Sequence, residues 1–469
     1  MLLLGKRVFH LKLIKYMFVC IFAGFSATSL ADEVDFLAYG DLRGYLEPCG
    51  CDPATDLGGI LRINSQLMRE RLSAPNLLSF NLGNNLSDKR RDAIKNRYLI
   101  KGEEVNAPTA YLINELELQN LEFLKTSKLP FVLTNTRVAP VGRPFIETSE
   151  MIVMGYTWSD IHAKSLTRVD AKLILEWQNN LKKIAGKKSV LLFSGPDEDL
   201  KKFADAKLFS SIISSNKRPL TEIPGKEESE NDSLLLRLKN PAVFMVPLGG
   251  QGILRSGNLT MSEAKTIDGL FKAPTKDCND QKGVTAITLG SDCSSGSKLF
   301  GKGFSRFTWL KKPTEAGHGL AAFYTSFNKE IADQFKSEGL GRIAALKDSP
   351  FAGSTLCAQC HDSAHKVYTQ TRHAHAMQTL ISKGKHEDAE CVACHSVGSD
   401  KAGGFVSIKD SPQFANVQCE NCHGPRKDHT LNPSIKSAAG SAKQACATCH
   451  NRQHSPNFNL NTYWEKIKH

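Results

Sequence analysis

Cys419-Glu420-Asn421-Cys422-His423 is one of four Cys-x-x-Cys-His motifs that lie within residues 352–469 of this 469-residue chain. The other three motifs begin at Cys357, Cys391 and Cys446. The four copies use eight of the thirteen cysteines: Cys357, Cys360, Cys391, Cys394, Cys419, Cys422, Cys446 and Cys449. Each copy ends in a histidine, and these are His361, His395, His423 and His450. Four copies in one short region predict a shared chemistry.

The Cys-x-x-Cys-His motif is the attachment signature for c-type haem. Two thiols three residues apart can each form a thioether to one porphyrin, and the histidine that follows can bind the iron. The four motifs therefore predict four covalently bound haem c groups. Residues 352–469 are expected to form a small, mostly α-helical multihaem cytochrome c domain, in which the porphyrins supply much of the core.

Seven further histidines lie in the same region, and a second axial ligand for each iron is the economical explanation for so many. They are His365, His373, His375, His386, His429, His454 and His469. His365 follows His361 by four residues, so it is expected on the same helix face and not on iron. His373 and His375 are two residues apart, and His373 is preferred as the ligand. For His386 and His454 both solvent and haem stay open.

Several longer patterns surround the motifs. They are His361-x-x-x-His365-x-x-Tyr368, Thr371-Arg-His373-Ala-His375-Ala, Gly403-Gly404-Phe405, and Val417 to Pro425 followed by His429. In these patterns residues 355–469 resemble the cytochrome c-554 family of tetrahaem proteins. The resemblance implies that His429 binds the first haem, His373 the third and His469 the fourth. It also implies a five-coordinate second haem, although His375, His386 and His454 leave that coordination open.

Residues 1–31 are predicted to be a signal peptide. A basic segment ending at Lys15 precedes the apolar run 16–25, and Ser29-Leu30-Ala31 places small residues before a cleavage site. That run is too short to predict a transmembrane helix, and no transmembrane segment is expected after its removal. We expect a periplasmic protein, or one carried on to the outer surface.

The net charge does not predict a nucleic-acid partner. It falls from +12 to +8 without the four basic residues of the signal segment, and haem propionates would offset the remainder.

Residues 32–313 are predicted to form a layered α/β domain, because short apolar runs alternate with helical patterns. Strands are expected at 34–39, 76–82, 129–135, 151–156, 189–194 and 242–247, and helices at 61–71, 110–125, 170–185 and 199–210. Residues 314–351 are expected to form a helical connector and linker, and residues 347–353 lead into the C-terminal region.

Asp41 after the first strand, Gly58-Gly59 before a helix, and Gly83-Asn84 after the second strand form a further pattern. It resembles the 5′-nucleotidase branch of the metallophosphoesterases over residues 34–259, and implies a four-layer α/β fold that binds two metal ions. Here Arg43 stands at a metal-binding histidine position, and Asn84 replaces an aspartate. Two hard metal ions need several carboxylate and imidazole ligands. The domain is therefore expected to be degenerate, without phosphoesterase activity.

Four cysteines remain besides Cys20 of the signal segment and the eight in the motifs. Cys278 and Cys293 are expected to form a structural disulfide, as an exported chain permits. For Cys49 and Cys51 a redox or metal-binding pair and a structural bridge both stay open.

Together these features predict an exported electron carrier that serves redox partner proteins, with the α/β domain as a docking or positioning module. The alternative is a reductase of a small nitrogen or sulfur compound at a five-coordinate second haem.

Overall fold

Strands whose two faces are both buried decide the architecture of the first two thirds of the chain. The computed structural model describes residues 36–47, 58–87, 92–137, 142–184, 186–215, 242–246, 252–258, 284–288, 303–309, 320–435, 442–451, 454–455 and 457–469. All of these lie in one compact unit, Val34–His469.

The strands of this part form two sheets. In chain order they are β1 (Phe36–Tyr39), β2 (Leu78–Asn81), β3 (Ala110–Leu112), β4 (Phe131–Val132), β5 (Phe145–Glu147), β6 (Met151–Thr157), β7 (Lys188–Ser194), β8 (Ser211–Ser215), β9 (Ala242–Val246), β10 (Gly252–Asn258), β11 (Val284–Thr288) and β12 (Gly303–Trp309). One sheet has the order β11-β12-β10-β1-β2-β3-β4, and the other has the order β5-β6-β7-β8-β9. Strands β1 to β4 are parallel, and so are β6 to β9.

The helices of this part are α1 (Ile60–Ser73), α2 (Ala93–Asn106), α3 (Glu115–Gln119), α4 (Leu121–Lys125), α5 (Ala171–Lys182) and α6 (Asp197–Ala206). Strand β1 shows how they are arranged. Phe36 and Ala38 pack in the apolar layer between the two sheets, while Leu37 and Tyr39 face the core beneath α1 and α2. The outer face of the second sheet packs against α5 and α6 through Trp177 and its neighbours.

The result is a four-layer α/β fold, which confirms the fold class predicted from the sequence. Near-continuous apolar strands are typical of parallel sheets covered on both faces. One local prediction was wrong: residues 110–125, expected to be one helix, begin as strand β3. Ala110, Tyr111 and Leu112 are fully buried, because this segment adds a parallel strand beside β2.

A long helix, α7 (Ala321–Ile343), joins this fold to the C-terminal region. Phe327 packs edge-on against Tyr98 of α2 in the α/β core. Two turns further on, Phe335 is buried with Phe351 and Phe405 in the core of the C-terminal region. One helix therefore contributes to both cores.

The C-terminal region consists of short helices and turns. The helices are α8 (Ser354–Ala358), α9 (Asp362–Thr369), α10 (Ala376–Ser382), α11 (Ala389–His395), α12 (Cys419–His423), α13 (Lys427–Leu431), α14 (Ala442–Cys449) and α15 (Leu460–Trp464). Gly404 approaches Gly398 so closely that an added Cβ would lie 1.8 Å from the Gly398 carbonyl oxygen. In the described part of the chain, no helix is long and apolar enough to cross a membrane.

We expect Phe335→Ala to lower the free energy of unfolding by about 3–5 kcal/mol, because it leaves a cavity in the core of the C-terminal region. Leu340→Ala is the matched control on the same helix, since Leu340 is 70% exposed, and should change stability by less than about 0.5 kcal/mol. Urea unfolding of the two full-length variants measures the difference. Equal losses would show that Phe335 does not contribute to the core of the C-terminal region.

Candidate haem centres

Each Cys-x-x-Cys-His motif folds as one helical turn. The His361 N–H donates to the Cys357 carbonyl oxygen at 2.9 Å, and the His450 N–H donates to that of Cys446 at 2.8 Å. The other two motifs lie within α11 and α12. Residues three and four apart share a helix face. The helical turn therefore places two sulfurs and one imidazole on the same side, as thioether attachment and iron ligation require.

Three of the four motif histidines lie opposite a second histidine. The ring centres are 6.3 Å apart for His361 and His429, and 6.0 Å apart for His373 and His450. His423 and His469 form the third pair, also at 6.0 Å. An imidazole nitrogen binds a metal at about 2 Å, which places the ring centres of two ligands on one metal about 6 Å apart. The three pairs therefore fit a metal between two axial ligands.

The pairing exchanges two of the expected assignments. His429 lies opposite the first motif, as the sequence implied. His373, however, faces His450 of the fourth motif and not the third, and His469 faces His423 of the third motif and not the fourth. The aromatic side chains after the fourth motif give a reason. Phe458 stacks on His450 with ring centres 4.5 Å apart, and Tyr463 packs edge-on against both rings, so α15 carries the terminus past His450.

His395 has a different environment. Its Nδ1 lies 2.7 Å from the Ala376 carbonyl oxygen, the kind of hydrogen bond that orients a metal-ligating histidine. Among the ring contacts of the described residues, none joins His395 to another imidazole. His365 contacts Tyr368, with ring centres 5.7 Å apart. His386 has a buried Nδ1 without a hydrogen-bond partner among the described atoms.

Burial lowers the pKa of His373, His395, His423 and His450. For His373 the positive charge of His450 acts in the same direction, and for His423 that of His469 does so. A lowered pKa favours the neutral imidazole, which is the form that binds a metal.

Thiols of different motifs lie next to each other, and all eight are free of disulfide bonds. A hydrogen bond with Cys419, together with burial, raises the pKa of Cys357. A hydrogen bond with Cys394 lowers the pKa of Cys449 to about 6. The first motif is thus close to the third, and the second to the fourth, while Cys422 of the third motif also interacts with Cys446 and Cys449.

The two middle residues of the third motif form hydrogen bonds with the segments beside the first and second motifs. The buried Glu420 carboxylate accepts the backbone N–H groups of Ala352 at 2.9 Å and Gly353 at 2.8 Å, just before the first motif. The Asn421 amide donates to the Ser396 carbonyl oxygen at 2.9 Å, just after the second motif. Neither residue was singled out from the sequence, since the motif leaves its middle positions unspecified.

The strand ends of the α/β fold contain a different kind of site. Asp41 is buried, and its carboxylate accepts from the Arg43 Nε at 3.0 Å. Asp41, Arg43 and Asn84 all have positive φ angles, of 63°, 46° and 55°. Glu117, which the sequence analysis missed, accepts the backbone N–H groups of Asn84 and Asn85.

No group of three or more acidic, cysteine or histidine side chains in the described ranges could hold a metal ion. The predictions for Cys49, Cys51, Cys278 and Cys293 concern residues outside the described ones.

The helical motifs and opposed imidazoles make the C-terminal region similar to multihaem c-type cytochromes. Residues 356–424 match the family model for cytochrome c554 and c-prime. Cytochrome c-554 of Nitrosomonas europaea is 34% identical over 101 residues, which are 18% of this chain and 43% of that protein. The chain thus spans less than half the length of this curated relative.

Solved structures are similar to the chain over a larger share of its length. NAD nucleotidase of Haemophilus influenzae has a TM-score of 0.39 and 17% identity, and the match covers 48% of this chain and 46% of that one. Calcineurin-like phosphoesterase YfkN of Bacillus subtilis has a TM-score of 0.41 and 12% identity, covering 63% of this chain and 97% of that one.

We expect His373→Ala to create one high-spin ferric haem at the fourth motif, because it removes the ring opposite His450. The change should therefore add no high-spin signal in a Cys446→Ala/Cys449→Ala background, but should do so in a Cys419→Ala/Cys422→Ala background. His469→Ala should add a high-spin signal in the Cys446→Ala/Cys449→Ala background and none in the Cys419→Ala/Cys422→Ala background. Electron paramagnetic resonance of the full-length holoprotein measures the signal, and the opposite pattern would restore the assignment expected from the sequence.

We also expect only background hydrolysis of nucleotides and of a chromogenic phosphate ester with added manganese, zinc or calcium. Asp41 is engaged by Arg43, and a guanidinium cannot act as a metal ligand. Release of phosphate is the measurement, and Asp41→Ala is the control. Metal-dependent turnover that Asp41→Ala abolishes would contradict this expectation.

Proposed function

We propose that this protein is an exported tetrahaem c-type cytochrome that transfers electrons between redox partner proteins. The observation that carries the proposal is the set of three opposed histidine pairs, with ring centres 6.0 to 6.3 Å apart, each containing one motif histidine.

In this proposal each haem c is held by the two cysteines of its motif, through thioethers, and by the motif histidine. His429, His373 and His469 supply the second axial ligands opposite His361, His450 and His423. Bound haem c supplies an iron that accepts and releases one electron. Two histidine ligands leave no exchangeable position, so such a centre transfers electrons and does not bind substrate.

The remaining parts of the proposal rest on the sequence. The signal segment 1–31 supports export, and periplasmic placement agrees with the oxidising environment in which secreted cysteine-rich chains persist. The partners are redox proteins, and nucleic acid is not among them. The α/β fold, with Asp41 paired to Arg43, serves as a docking or positioning module.

A second candidate function concerns the second motif. His395 is oriented by the Ala376 carbonyl oxygen, while the other three motif histidines each face an imidazole. An open iron at this motif would support reduction of a small nitrogen or sulfur compound.

Haem content gives the first test. The mass of the mature chain, measured by mass spectrometry, should exceed the polypeptide mass by four haem masses, because all four motifs are complete. Cys422→Ala should reduce the covalent load by one, and Cys360→Ala is a matched change in another motif that should do the same. Three or fewer haems on the fully matured wild type would contradict the tetrahaem proposal.

Ligand binding and turnover separate the two candidate functions. We expect rapid reduction by a small electron donor, at most one haem in four that binds cyanide, and no turnover of hydroxylamine, nitrite or nitric oxide. Stopped-flow spectroscopy and substrate depletion measure these properties. Turnover at the rate of electron supply would replace the carrier with the reductase.

A further inference from the structure

Polar contacts from the α/β part and from α7 converge on residues 385–405, which surround the second motif. The Lys336 ammonium lies 3.1 Å from the Glu387 carboxylate. Lys385 donates to the Tyr324 hydroxyl at 2.7 Å and to the Asn328 side-chain oxygen at 3.0 Å. The second motif is therefore held between the α/β part and the rest of the C-terminal region.

One of these contacts comes from the α/β fold itself and lies next to the attachment cysteine. Lys95 of α2 forms an ion pair with Glu390, the residue directly before Cys391 in α11. The side chains are only 11% and 25% exposed. A lysine is rarely buried to this extent unless its charge is paired, and charges in such places are weakly screened.

We propose that Lys95 of the α/β fold sets the reduction potential of the haem held by Cys391, Cys394 and His395, through its ion pair with Glu390. This inference rests on the proposed function, because it requires a haem at the second motif. It makes the α/β part a positioning and tuning element of one particular haem.

The charges around Cys391 support this role. Burial raises the pKa of the Cys391 thiol to about 12, and Asp388 acts in the same direction. The positive charges of Lys385 and Lys95 oppose that rise and the Glu390 charge adds to it, so both members of the ion pair act at the Cys391 sulfur. Asp92 is a further acidic group near Lys95.

The sign of the effect follows from the charge that reduction adds. Reduction of the iron adds one negative charge, which a nearby cation favours and a nearby anion opposes. Removing the Lys95 charge leaves the partly buried Glu390 carboxylate without this cation and should make reduction harder. Removing the Glu390 charge should make reduction easier.

The experiment is a spectroelectrochemical titration of the full-length holoprotein and its variants. Lys95→Met should lower the equilibrium constant for reduction of one of the four haems by about tenfold. This corresponds to a decrease of about 59 mV in the reduction potential of that haem. Glu390→Gln should raise the reduction potential of the same haem, and the potential of the double variant should lie between those of the two single variants. Lys95→Arg should resemble the wild type.

Lys329→Met on α7 is the matched control, since Lys329 is 79% exposed, and it should move no step. In a Cys391→Ala/Cys394→Ala background, Lys95→Met should move none of the three remaining steps. A Lys95→Met effect no larger than that of Lys329→Met would overturn the inference, as would an equal shift of several steps. If Lys95→Met does not fold, Glu390→Gln alone decides the question by the sign of its shift. A wild type without covalent haem would instead overturn the proposed function.

Discussion

The separation of opposed imidazole rings is the constraint that recurs through the C-terminal region. Three pairs of histidine rings meet it, with centres 6.0 to 6.3 Å apart, and each pair joins segments that are distant in sequence. Among the described residues, the main apolar cluster of this region has eight buried members, including Phe335 of α7. Beside this core, histidine pairs and the hydrogen bonds of Glu420 and Asn421 join segments that are distant in sequence.

In the α/β part, polar groups at the strand ends are paired with one another. The loops after β1 and β2 have positive φ angles at Asp41 and Asn84. Arg43 supplies a fixed positive charge to Asp41. The fully buried Glu117 is satisfied by backbone N–H groups instead of a cation. Burial still raises its pKa.

Local patterns were predictable from the sequence, and tertiary pairings were not. The helical turn of each motif and the alternation of strands and helices depend on neighbouring residues. The helix predicted at residues 110–125 was wrong, because residues 110–112 form strand β3 through pairing with β2, which a local pattern does not show. The exchange of His373 and His469 has a similar origin, since the spacing of a histidine says nothing about which motif it will face. Lys95 and Glu390 are 295 residues apart, so no local pattern relates them.

The closeness of thiols from different motifs has a consequence for biogenesis. Cys357 interacts with Cys419, and Cys394 with Cys449, so a cysteine of one motif is close to a cysteine of another. The hydrogen bond with Cys394 lowers the pKa of the Cys449 thiol to about 6, and a thiol with a lowered pKa is a ready nucleophile. Attachment of a cofactor to any one motif would therefore have to distinguish the two cysteines of that motif from a third cysteine close by.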